Sequence, residues 1–187
     1  MKVLLAGNTG YVTMKFIEEA FPECQVVVLG NKMLKTVRRK GIISRPFPES
    51  EKELEDIFRT YEFEAVVYFS NYLTFHGALE GEAENLRKIL QYCRKGQERH
   101  FLYVTGPEGM FDVPTGKTLL VENAEDVCRR YAKLYDLRVK ILRTPYLCSG
   151  IYKKDFFYRI FEAAGENQKL FFQEAPEQNA YFLYPMD

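Results

Sequence analysis

The sequence predicts an α/β fold, a doubly wound parallel sheet with helices on both faces, and two observations predict it. Short apolar runs of strand length recur along the 187 residues with amphipathic helical segments between them, the alternation that stacks helices on parallel strands. The first run, Lys2-Val3-Leu4-Leu5-Ala6, leads directly into Gly7-Asn8-Thr9-Gly10-Tyr11-Val12-Thr13 and a second run follows at Gln25-Val26-Val27-Val28-Leu29. A strand, a glycine turn, a helix and a second strand at this distance make a βαβ unit.

The remaining elements follow in order. The helix after the turn runs to about Ala20, and Gly41-Ile42-Ile43 is a short third strand. Glu49 to Tyr61 is a charged amphipathic helix, and Ala65 to Ser70 a fourth strand. Glu80 to Lys95 places Leu86, Ile89, Leu90 and Cys93 on one helical face. Phe101-Leu102-Tyr103-Val104-Thr105 is a fifth strand, Leu119 to Tyr135 a long helix and Val139-Lys140-Ile141-Leu142 a sixth strand. From Cys148 the pattern loosens into a helix near Asp155 to Ala164 and aromatic strands at Lys169-Leu170-Phe171-Phe172 and Ala180 to Tyr184. The division expected is a Rossmann-like domain over 1–150 and the start of a truncated or vestigial C-terminal lobe over 151–187.

Composition narrows the function classes. With 47% hydrophobic and 15% aromatic residues the chain can bury a substantial core. Its 26 basic and 26 acidic residues cancel, so no overall field draws it to nucleic acid or an acidic membrane, and the basic run Lys35 to Lys40 reads as a solvated helix face. No apolar stretch approaches the roughly 20 residues that span a bilayer. Met1-Lys2-Val3 enters a strand without a signal-peptide pattern, so the expected location is cytoplasmic. Cys24, Cys93, Cys128 and Cys148 form no close pair, and neither His76 nor His100 lies near them in sequence, so neither a metal site nor a disulfide framework is expected. Small molecules and other proteins remain the expected partners.

The glycine turn is the chief candidate site. Unpaired N–H groups and the positive end of a helix dipole there suit an anion, typically a cofactor pyrophosphate. The pattern is worn: Thr13 stands at the third glycine, where its branched side chain is expected to push the helix outward and loosen the pocket. No acid closes the second strand, where Gly30-Asn31-Lys32 stands. Asn31, Lys32 and Lys35 would meet a 2′-phosphate, giving a preference for NADP, or they are a solvated helix start. Gly116-Lys117-Thr118 is not a P-loop, because Phe111 occupies the place of its first glycine. No Ser-His-Asp order is readable, and Phe156, Phe157, Tyr158 and Phe161 have the spacing of a packed helix face.

Several segments together resemble the extended short-chain dehydrogenase/reductase superfamily of the NAD-dependent epimerase/dehydratase type. They are the opening Met1 to Val12, Glu64 to Ser70, Arg99 to Thr105, and Arg130 to Pro145. The resemblance implies a bound NAD or NADP, with Gly7, Asn8, Thr9, Gly10, Tyr11, Val12, Asn31, Lys32, Phe69 and Ser70 at the cofactor. It also implies a Tyr-x-x-x-Lys pair whose lysine depresses the tyrosine pKa for proton exchange. Counting back from the matching Arg130 to Pro145 segment puts that pair at Lys117 and Val121, and 112–126 contains no tyrosine. The literal Tyr11-x-x-x-Lys15 lies in the first helix. The carbonyl-polarising serine falls at Thr105 or Gly106, and the adenine-binding aspartate is replaced around Arg45-Pro46.

The expectation is therefore a degenerate NAD(P)-binding or nucleotide-binding domain, a pseudoenzyme acting as a sensor or regulatory module of a longer protein, whose ligand is a dinucleotide or a nucleotide sugar. One alternative is an active enzyme with a relocated acid/base residue, for which Tyr103, Lys117 and Tyr146 are candidates beside Thr105. The other is an interaction scaffold that binds no nucleotide. A homodimer is expected, through Phe171, Phe172, Tyr181, Phe182 and Tyr184 or through the helices Glu80 to Lys95 and Leu119 to Tyr135.

Overall fold

The computed structural model describes residues 1–8, 13, 17, 23–30, 41–71, 81–94, 100–106, 116–147, 162–166, 169 and 182–183, and of 116–122, 146–147 and 182–183 the backbone alone. Strands β1 (Lys2–Gly7), β2 (Gln25–Gly30), β3 (Ile42–Pro46), β4 (Ala65–Phe69), β5 (His100–Thr105) and β6 (Arg138–Arg143) form one sheet in the order β3-β2-β1-β4-β5-β6. Every neighbouring pair is parallel. The chain winds outward from β1 to β3, then restarts on the other side of β1 and winds to β6. The strand order thus reverses between β1 and β4, and in such sheets ligands bind at the carboxyl ends of the strands flanking that point.

The inner strands are apolar without alternation because both faces are covered: Val3, Leu4, Leu5 and Ala6 of β1 and Val26, Val27, Val28 and Leu29 of β2 are all buried. On one face lie α1 (Glu51–Tyr61), α2 (Glu82–Cys93) and α3 (Gly116–Tyr135). Their buried Leu54, Ile57, Leu86, Ile89, Leu90, Ala124 and Val127 pack with Leu4, Val66, Phe101 and Tyr103 of the sheet. On the other face Val3, Leu5, Val28, Val67 and Val104 pack with Ile17, which like Thr13 is helical.

Local chemistry sets the element ends. Ser50 caps α1 by accepting from Glu53 N at 3.2 Å, so that helix starts at Glu51 rather than Glu49. A left-handed Glu62, φ +48°, ends it. Gly41, with φ +92°, belongs to the turn before β3, and that strand runs on to Pro46, further than the apolar run Ile42-Ile43 suggests. Its exposed Arg45-Pro46 end lies at the sheet edge, where proline is tolerated. Helix α3 begins at Gly116, before the expected Leu119, despite the low helix propensity of glycine and threonine.

A further parallel pair, β7 (Tyr146–Leu147) with β8 (Phe182–Leu183), joins the segment after β6 to the C-terminal region. Two-residue strands carry too little pattern to read; β7 has no counterpart in the expected elements, and β8 is shorter than Ala180 to Tyr184. Lys169 is not in a strand. Of the expected helix Asp155 to Ala164 only the end is described, and residues 162–165 there are helical; its earlier residues, the cluster Phe156 to Phe161, the aromatic positions 171, 172, 181 and 184 and the helix Lys35 to Lys40 lie outside the described residues. Among the described residues no helix is long and apolar enough to cross a membrane.

Candidate functional site

The site is built at the end of β1. Gly7 has φ +89°, a conformation that side chains disfavour. A Cβ there would stand 2.1 Å from the Phe69 carbonyl oxygen and 3.0 Å from Tyr68 Cε1. With no side chain at Gly7, Asn8 N donates to Phe69 O at 2.7 Å. The two strands flanking the reversal point are thereby fastened together at their carboxyl ends. Thr13 is fully buried and its hydroxyl donates to Asn8 O at 3.0 Å. Instead of a misfit at the third-glycine place, the structure has a polar side chain with its hydrogen bond made, closing the turn from the helix side.

With its N–H committed to Phe69, Asn8 has no backbone donor left for a phosphate. Thr9, Gly10, Tyr11, Val12, Asn31 and Lys32 lie outside the described residues, as do Tyr11–Lys15 as a pair and His76. Phe69 is buried on the Ile17 side of the sheet and contributes its carbonyl to the turn. Ser70 follows β4, is fully buried, and donates its N–H to Val104 O at 2.8 Å.

Behind this edge lies a buried polar cluster that sequence reasoning did not find. Tyr103, fully buried, donates its hydroxyl to Glu82 Oε1 at 2.6 Å. Glu82 Oε2 accepts from Asn71 N at 2.7 Å. The Ser70 hydroxyl is hydrogen-bonded to the same phenol, and Thr105 adjoins it, although Thr105 Oγ1 is buried with no partner at hydrogen-bonding geometry. Burial first, and then the Glu82 charge, push the Tyr103 pKa far above the ordinary phenol value. Tyr103 thus faces the core beneath the sheet, and exchanging a proton with a substrate would require it to leave its pocket and abandon Glu82. Ser70 likewise commits its hydroxyl to this phenol.

A second buried carboxylate, Glu125 of α3, is fully enclosed. Arg143 at the end of β6 grips it with two bonds, Nε to Oε1 at 2.7 Å and Nη2 to Oε2 at 2.6 Å, and Arg129 Nη2 binds Oε2 from the next helical turn. The fork geometry suits a carboxylate and ties α3 to the edge strand. Burial, followed by Glu125, raises the Cys128 thiol pKa well above its ordinary value, as expected of an inert structural cysteine. Both carboxylates carry a faint sequence signal. Glu82 lies four residues before Leu86 and Glu125 beside Ala124 and three before Cys128, each an acid placed on its helix's apolar stripe.

Lys117 and Val121 occupy the first turns of α3, and Tyr146 is in β7; only their backbone is described. His100 is the exposed first residue of β5, at the end of the sheet opposite the glycine turn. Among the described residues no group of three His, Cys, Asp or Glu could hold a metal ion.

No family model and no curated protein matches the sequence. Solved structures match it across its whole length. A dTDP-glucose 4,6-dehydratase from Bacillus anthracis, in complex with NAD, superposes with TM-score 0.79 at 14% identity over 100% of this chain and 68% of its own. A UDP-glucuronic acid 4-epimerase from Bacillus cereus, in complex with UDP-glucuronic acid and NAD, gives 0.76 at 13% over 100% and 70%. A GalE-like L-threonine dehydrogenase from Cupriavidus necator, in its holo form, gives 0.74 at 17% over 100% and 69%. At such identities the likeness is one of architecture: this chain shares the Rossmann-like fold of these dehydratase, epimerase and dehydrogenase structures.

Proposed function

We propose that this chain is a nucleotide-binding domain, taking NAD, NADP or a nucleotide sugar, in which the proton-transfer chemistry of epimerases and dehydratases has been lost, and that it acts as a sensor or regulatory module of a longer protein. The observation that carries the reading is the glycine turn at the strand-order reversal, where a φ of +89° at Gly7 and the Asn8–Phe69 bond hold the chain in the sharp exit that a phosphate-binding helix start needs. The solved structures that share this fold include proteins in complex with NAD and with UDP-glucuronic acid, which supports the ligand class.

Loss of chemistry rests on residue types. A bound nicotinamide would supply a hydride acceptor, but the places that the resemblance gives to the phenol and its ammonium neighbour hold Lys117 and Val121. A lysine cannot stand in for a tyrosine whose proton is exchanged near neutrality unless its own pKa is lowered greatly. Thr105 keeps a hydroxyl at the end of β5, buried and without a hydrogen-bond partner among the described residues.

Calorimetric titration with NAD, NADP and UDP-glucose tests the reading. Binding of at least one is expected, Gly10→Val abolishes it with little loss of thermal stability, and no turnover accompanies it. Equal ligand-induced thermal shifts in the wild type and Gly10→Val would refute the site, and turnover abolished by Lys117→Ala would restore an enzyme.

A further inference from the structure

Glu82 lies outside the crevice, yet its two hydrogen bonds join the two structures that border it. One carboxylate oxygen takes the phenol of Tyr103, in the middle of the sheet, at 2.6 Å. The other takes the N–H of Asn71, the second residue past β4, at 2.7 Å. Two residues earlier, the Phe69 carbonyl takes the N–H of Asn8, whose own carbonyl takes the Thr13 hydroxyl. Between these anchors Ser70 N is bonded to Val104 O at 2.8 Å. A path of hydrogen bonds and a single short stretch of backbone, 69–71, therefore runs from the buried Tyr103 to the glycine turn.

Neutral and apolar groups dominate that interior, and a buried carboxylate is retained there only when its acceptors are used. Helix α2 follows Gly81, which offers no side-chain cap. The Glu82 carboxylate reaches back to Asn71 N. Resting on the nucleotide-binding reading above, we propose that Glu82 is a positioning residue for the crevice: through Asn71 and Tyr103 it fixes the carboxyl end of β4, and through Phe69 O the glycine turn that receives the phosphates.

Three variants of the full chain separate this role from general packing. Glu82→Ala removes both bonds. Glu82→Gln restores both, since the amide oxygen accepts from Asn71 N while its NH2 donates to the phenol, whose own proton can turn to the unpartnered Thr105 Oγ1. Tyr92→Phe is the control: it deletes a hydrogen bond of the same helix, Tyr92 Oη to Glu51 O at 3.0 Å, at the end far from the crevice. Two readouts are taken, NAD affinity by calorimetry and hydrogen exchange of the Asn8 and Asn71 amides without ligand. The expected result is NAD binding weakened about tenfold in Glu82→Ala with faster exchange at both amides, and neither change in Tyr92→Phe or Glu82→Gln. A wild type and Glu82→Ala that bind NAD equally, or amides that exchange alike, overturn the positioning role while leaving the nucleotide reading standing. A wild type that binds no nucleotide overturns that reading and the role with it.

Discussion

Removing Arg143 from the Glu125 carboxylate tests how α3 is held to the edge of the sheet. The carboxylate side chain has 0% exposure against 35% for Arg143 and 52% for Arg129. Breaking a fully buried ion pair typically costs about 3–5 kcal/mol, because the abandoned charge stays desolvated. Here Arg129 remains and Arg143 is itself one-third in solvent, so Arg143→Leu falls at the lower end, at about 3 kcal/mol after allowing for solvent screening. In a domain of this length that is a melting temperature lowered by about 6–12 °C. Replacing both partners, as Glu125→Leu with Arg143→Leu, removes the stranded charge and should recover stability relative to Arg143→Leu alone. Urea unfolding of the wild type, both single variants and the double variant closes the cycle. A coupling of about 2 kcal/mol is expected, and one below about 0.5 kcal/mol would show the pair to be a surface contact worth little.

Two further outcomes follow from groups already described. Gly7→Ala combines a left-handed backbone cost of about 1–2 kcal/mol with the displacement forced by Phe69 O, for a total of about 3 kcal/mol in urea unfolding; a loss under about 1 kcal/mol would mean that the β1–β4 end moves freely. Tyr103 is harder to ionise folded than unfolded, so its contribution is intact below the unfolded phenol value of about 10 and stability falls as pH rises beyond it. Tyr103→Phe should flatten that alkaline decline in thermal melts between about pH 9 and 11, and identical slopes would contradict the burial of the phenol.

The main sheet was legible because its strands are buried on both faces and so are written as uninterrupted apolar runs, and because Gly7 marks the reversal point without ambiguity. Element ends were less so: α1 begins where the Ser50 hydroxyl caps it, a choice made by a side-chain bond rather than by periodicity, and α3 starts on Gly116 against propensity. The glycine turn was readable, but its closure by the Thr13 hydroxyl was not. A threonine at a glycine position signals misfit until the carbonyl of Asn8 is seen to accept from it. Glu82 and Glu125 were overlooked because charged residues in an amphipathic helix are assigned to water, although their spacing put each on the apolar stripe. Tyr103 was a candidate for proton transfer by residue type alone, and only the fold shows that alternation along β5 turns it toward α2.

The close approach at Gly7 has a consequence for how glycine fingerprints are read. The demand for a bare backbone there comes from the Phe69 carbonyl, a part of the sheet, and it would persist in a descendant that bound nothing. Selection on the fold alone would preserve this first glycine, and the buried Thr13, bonded to Asn8 O, would be held by the same architecture. In a fingerprint of this type a glycine can therefore record the architecture of the sheet before it records any ligand.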